Sequence, residues 1–148
     1  MNQEELVEKT RELLIDLGMD KERSNERSAM VFLALAHLDS DSIWTQATNE
    51  MYTTRQLMDW IRDRLGQDYA ANTRETIRRF TLHQFSAGAI VEQNADQPDR
   101  PINSPKWNYR LTPGLMPVVH AIGTQDYEQE LEEFLSGIET WREKQNEI

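Results

Sequence analysis

The chain has 148 residues, no cysteine and a net charge of −10. That length suits one domain with its own buried core. The missing cysteine excludes disulfides and thiolate metal sites and suits a reducing cytoplasm, and the longest apolar run, Ala29 to Ala36, is far short of the ~20 residues of a membrane helix.

The start, Met1-Asn2-Gln3-Glu4-Glu5, lacks the basic and apolar regions of a signal peptide. A soluble, cytoplasmic protein is expected. Net negative charge argues against a nucleic-acid partner, but its distribution matters more than its sum. Residues 54–112 carry nine basic and seven acidic side chains, whereas both ends are acidic.

The first apolar pattern predicts a helix over 3–17: Leu6, Leu13 and Leu17 fall near one face, and Gly18 suits a left-handed C-terminal residue. A second helix is expected over 26–38, capped by Ser24 or Asn25 and apolar all round from Ala29 to Ala36. Such a helix is buried on most sides and becomes the centre of the core. Residues 39–53, rich in Asp, Ser, Thr and Asn, read as a loop pinned by Ile43 and Trp44.

A third helix is expected over 54–65, with Leu57, Met58, Ile61 and Leu65 in one stripe and Gly66 closing it. Asn72 reads as the N-cap of a fourth, with Glu75 as its capping-box partner, and that helix runs to Ala87 with Phe80 and Phe85 in the core. Gly88 ends it. Ala89 to Glu92 and Trp107 to Leu111 read as strands. Between them Pro98, Pro101 and Pro105 stiffen a long hairpin tip. A short helix, 115–122, is followed by a last one starting at the N-cap Thr124. There Tyr127, Leu131, Phe134, Ile138 and Trp141 recur at spacings of 4, 3, 4 and 3 in a very acidic helix. This stripe is expected to pack on Leu6, Leu13 and Leu17 or to form a homodimer with a second copy.

The order from 26 to 111, three helices and a hairpin, is that of a winged helix-turn-helix, whose third helix enters the DNA major groove. On that helix Arg74 and Arg78 lie four apart, with Thr76, Arg79 and His83 nearby and Asn72 and Thr73 at its start. Guanidiniums, hydroxyls and an imidazole together suit phosphates and guanine edges. The alternative is a solvated basic face that pairs with the acidic ends. Asn103, Ser104 and Lys106 add amide, hydroxyl and ammonium groups to the hairpin tip. Arg78 is assigned to a base edge and Lys106 to phosphate. Trp107 and Tyr109 either pack on the helices or stack on bases.

Four stretches sharpen this reading. They are Asn25-Glu26-Arg27-Ser28-Ala29, Met58-Asp59-Trp60-Ile61-Arg62, Ala71-Asn72-Thr73-Arg74-Glu75-Thr76 with Arg78-Arg79 and Leu82-His83-Gln84-Phe85, and Asp99-Arg100-Pro101-Ile102-Asn103-Ser104-Pro105-Lys106. Over roughly 25–135 the chain resembles the N-terminal helix-turn-helix region of the BsuBI/PstI family of type II restriction endonucleases. The resemblance implies a DNA-binding part that precedes a separate catalytic domain.

A nuclease of that kind uses an acidic residue, one spacer and a Lys to hold Mg²⁺ and activate water. The four lysines, Lys9, Lys21, Lys106 and Lys144, are preceded at that spacing by Val7, Met19, Ser104 and Arg142. No catalytic residue is therefore expected here, and the chain reads as an isolated domain or a stand-alone relative. His37, His83 and His120 lack metal-ligand spacing, so no metal or other cofactor is expected.

The expected fold is α+β, mainly α: a winged helix-turn-helix over 24–112, an N-terminal helix within 1–23 packed on its core, and a C-terminal helical pair over 113–148. The expected function is double-stranded DNA recognition in a restriction-modification system, with no membrane partner. The competing readings are a protein-interaction module and a small transcriptional regulator.

Overall fold

The computed structural model of the protein describes residues 1–146, with side chains as far as Glu139. Helix α1 (Gln3–Asp16) starts where Asn2 Oδ1 accepts from Glu5 N at 2.8 Å, and it buries Leu6, Leu13 and Leu14. Past its end Gly18 takes φ +103°, a conformation that a side chain resists. Helix α2 (Glu26–Ala36) is capped by Asn25, whose Oδ1 accepts from Ser28 N at 2.9 Å. Every residue from Ser28 to Ala36 is buried, so α2 is the core helix that its uninterrupted apolar run predicts. Phe32 meets Phe85 edge to face at 6.5 Å.

The segment expected as a plain loop, 39–53, carries more order than its polar composition suggests. It holds a single 3₁₀ turn, Trp44–Gln46, and a two-residue strand, β1 (Tyr52–Thr53). The strand is too short to show alternation, and it exists because Asn108 and Tyr109 pair with it. His37 ends α2 in the left-handed region, φ +56°, and its ring stacks on Tyr52 at 4.5 Å and on Trp60 at 5.2 Å. That aromatic stack ties the segment down.

Helix α3 (Thr54–Trp60) has a reciprocal capping box between Thr53 and Gln56. It widens into a π turn over Ile61–Leu65 and stops at Gly66, φ +73°. Helix α4 (Thr73–Ile77), a π turn over Arg78–Leu82 and helix α5 (His83–Ala87) then form one rod. Strands β2 (Val91–Gln93) and β3 (Asn108–Leu111) pair antiparallel, Glu92 opposite Arg110, and β3 also pairs with β1. The sheet order is β1-β3-β2. A 3₁₀ turn, Pro113–Leu115, leads into α6 (Met116–His120) and then α7 (Tyr127–Asn146). No helix among the described residues is long and apolar enough to cross a membrane.

Several local expectations are corrected. Asn72 is itself helical in backbone, φ −71° and ψ −14°, and makes no side-chain cap; Glu75 pairs with Arg78 instead. Phe80 is 57% exposed, because Ile77, Thr81, Leu82 and Phe85 already fill the inward face of the rod. Thr81, small enough to sit at the core, accepts from Arg27 Nε at 3.3 Å through its hydroxyl. Gly88 keeps φ −89°, and the left-handed residue that turns the chain into β2 is Ala89, φ +61°. The Thr124 hydroxyl donates to the Ala121 carbonyl at 2.7 Å and accepts from Asp126 N at 3.2 Å, and α7 begins later, at Tyr127. The stripe of α7 packs chiefly along α6 rather than α1: Tyr127, Leu131 and Phe134 are half-buried against the core and Ile138 is buried. The Tyr127 hydroxyl reaches the end of α1, donating to Asp16 Oδ2 at 2.7 Å. The Trp141 side chain lies outside the described residues.

Candidate nucleic-acid interface

The rod formed by α4 and α5 and the β2–β3 hairpin border a cleft of about 420 Å³. Arg78, Arg79, His83 and Gln84 line it from the rod, and Gln93, Trp107, Tyr109 and Ile102 from the hairpin and its tip. Three of the expected residues thus meet in one place. Arg79 and His83 are exposed, one helical turn apart. The Arg79 guanidinium lies 6.0 Å from the Phe80 ring centroid and makes no ion pair among the described residues. Arg78 is held by Glu75 at 3.1 Å, so a phosphate or base would have to compete with that carboxylate.

The other expected residues flank the cleft rather than line it. Asn72 and Arg74 are exposed and Thr73 and Thr76 half-buried on the first turns of the rod. Asn103 and Lys106 are exposed at the hairpin tip. Ser104 shapes the tip, its Oγ accepting from Lys106 N at 3.2 Å. Trp107 and Tyr109 resolve toward packing: Tyr109 is buried at the sheet, and Trp107, half-buried, donates its indole N–H to Gln93 Oε1 at 3.0 Å.

The tip is built around a residue that composition alone hides. Arg100 is 8% exposed and forks onto Asp96, 2.8 Å to Oδ2 and 3.1 Å to Oδ1. The same guanidinium donates to Asn94 Oδ1 at 3.1 Å and to the Lys106 carbonyl at 2.8 Å. Asn108 completes the frame, its side chain donating to Asp96 Oδ1 at 3.1 Å and its backbone N–H to Asn94 Oδ1 at 3.0 Å. The Arg100 hydrogen bonds, and then that of Asn108, hold the Asp96 carboxyl down at about 2. Asn94 adopts φ +50°, which Asn tolerates better than most residues. Across the strands, Glu92 pairs with Arg110. A charged, prefolded tip therefore presents Ile102, Asn103 and Lys106 from a fixed frame.

Phe80 and Ile102 are the apolar members of the cleft that pattern reading did not assign to it. Ile102 is 82% exposed between Pro101 and Asn103. The signal for Ile102 was its setting, a lone apolar residue in a tip of prolines, Asn, Ser and charged residues. The described residues include no three His, Asp or Glu side chains placed to hold a metal ion.

Known proteins resemble this chain in sequence and in fold. The model of the BsuBI/PstI restriction endonuclease HTH domain matches residues 4–143. The chain is 35% identical over 138 residues to the type II restriction enzyme BsuBI of Bacillus subtilis, covering 93% of this chain and 44% of that enzyme. It is 32% identical over 143 residues to the type II restriction enzyme AplI of Arthrospira platensis, covering 97% of this chain and 44% of the enzyme. The solved structure of SdaI restriction endonuclease superposes with a TM-score of 0.83 at 31% identity, over 88% of this chain and 41% of that one. The chain thus spans less than half the length of the relatives it matches, and it belongs to the BsuBI/PstI restriction endonuclease HTH domain family.

Proposed function

We propose that this chain is the double-stranded DNA recognition module of a type II restriction system, in which the α4–α5 rod enters the major groove and the β2–β3 hairpin acts as a wing. The observation that carries this reading is the cleft itself. Arg78, Arg79 and His83 converge there in a chain of net charge −10, beside a hairpin tip made rigid by Arg100. The element order supports it. Helix α2, strand β1, helices α3 and α4–α5, then β2 and β3, with β3 central in the sheet, follow the order that a winged helix-turn-helix requires.

Arg74, Arg78, Arg79 and His83 contact DNA from the rod, with Asn72, Thr73 and Thr76 at its first turns. Asn103, Ser104 and Lys106 meet the backbone from the wing. Cleavage lies outside this module's chemistry, because none of the four lysines follows an acidic residue at the nuclease spacing.

Selection from a random duplex pool tests the reading. Wild type should return a consensus, Arg78→Ala should blur one base position of it, and Lys106→Ala should weaken preferred and random duplexes in parallel. A wild type that returns no consensus overturns the reading.

A further inference from the structure

The function proposed above assigns the polar groups of the cleft and leaves its two most exposed apolar side chains without a task. We propose that Phe80 is a specificity-determining residue that reads the C5-methyl group of a thymine; this rests on the DNA-recognition reading and adds to it a base identity.

The argument starts from where the ring stands. An isolated surface phenylalanine needs no explanation in general. Phe80 differs because its neighbours fix its place: Thr81 occupies the inward position behind it, and the Arg79 guanidinium lies 6.0 Å from its ring centroid. The ring therefore projects, 57% exposed, from the turn between Arg79 and His83, into a cleft whose other wall bears Ile102.

Charge selects the occupant. The cleft carries Arg79, which makes no ion pair among the described residues, beside His83, and the carboxylate that lines it, Glu75, is neutralised by Arg78. A polyanion fits this surround, and an acidic protein surface would leave Phe80 facing charge. Within the major groove the thymine methyl is the apolar group that base edges present, and phenylalanine is among the side chains that contact it. The ring supplies apolar area at that point while Arg79 stays beside it for a phosphate or a guanine edge.

Deoxyuridine provides the test, since it keeps every hydrogen-bonding edge of thymine and lacks only the methyl. The preferred duplex from pool selection is resynthesised with each thymine replaced in turn, and affinities are read by fluorescence anisotropy at one fixed salt concentration. Wild type should lose about 4-fold at one thymine position, the worth of one methyl-sized group returned to water. Phe80→Ala should bind the thymine duplex more weakly and ignore the replacement, while Phe80→Leu should keep part of the discrimination. Thermal melting of both variants should match wild type, because the ring is outside the core.

Wild-type indifference to deoxyuridine at every position overturns the proposal while leaving DNA recognition intact. So does a Phe80→Ala variant that keeps the full wild-type penalty, or a preferred duplex without an A·T pair. If wild type binds no duplex, the recognition reading falls and this one with it. If Phe80→Ala instead dissolves a complex between copies of the chain and leaves duplex affinity unchanged, the ring serves a protein contact and the proposal is wrong.

Discussion

Replacing Arg100 by alanine should loosen the hairpin tip while leaving the helices in place. Its guanidinium, 8% exposed, donates to both Asp96 oxygens, to Asn94 Oδ1 and to the Lys106 carbonyl at 2.8–3.1 Å. Removing a partner from a fully buried ion pair costs about 3–5 kcal/mol. Two features lower that figure here. The Asp96 side chain is 39% exposed and rehydrates, and Asn108 still donates to Asn94, Asp96 and the Lys106 carbonyl at 3.0–3.2 Å. What remains is the net worth of two or three charge-assisted hydrogen bonds after rehydration, roughly 2–3 kcal/mol. In a chain of this size that lowers Tm by about 5–10 °C.

Circular dichroism melting gives the Tm, with far-ultraviolet helical signal expected to be unchanged at low temperature. Arg100→Lys keeps the charge but loses the planar fork, and should recover less than half of the loss. The acid limb gives a second reading. A carboxyl held at about 2 when folded binds its proton less readily than in the unfolded chain, so its stabilisation is complete above the ordinary carboxylate range and is lost as pH falls toward 2. Arg100→Ala should shrink that contribution. An Arg100→Ala variant that melts with wild type and keeps its acid profile would refute the clamp.

Three further outcomes follow from packing and charge. Burial lowers the His37 pKa, with opposing help from Glu50 and a further push down from Arg64, so the unfolded chain takes up the proton first. Tm should therefore fall as pH drops from neutral through the ordinary histidine range, and His37→Asn, which tolerates φ +56°, should flatten that slope in melts at pH 5 to 8. Leu131→Asp puts a charge on the half-buried stripe of α7, and should lower Tm by several degrees while light scattering shows whether solution mass changes with it. Lys106→Ala should cut the salt slope of duplex binding by about 1 and leave Tm unchanged, because this exposed side chain makes no ion pair among the described residues.

Helices with long apolar stripes were legible from their residues. The buried run of α2, the Asn25 cap and the closing Gly18 and Gly66 follow directly from propensity and period. What escaped depended on partners distant in sequence. Strand β1 is two residues that pair with Tyr109 and Asn108, and nothing local announces it. The left-handed His37 is held by rings from Tyr52 and Trp60. In the rod, period-counting puts Phe80 inside, whereas Ile77, Thr81, Leu82 and Phe85 fill the inward face and leave it outside. The site was half legible. Arg78, Arg79 and His83 were picked out by chemistry and do line one cleft, whereas Arg100, which chemistry did not single out, is the buried clamp.

The measurement closest to the central claim is the salt dependence of duplex binding by this chain. If Arg74, Arg78, Arg79 and Lys106 meet phosphates or base edges, log K against log salt should fall with a slope of about −3 to −4, each phosphate contact adding ~0.9. Joint replacement of Arg79 and Lys106 should bring the slope about 2 closer to zero. Undetectable binding at low salt across random duplexes, or a slope near zero, would contradict the account.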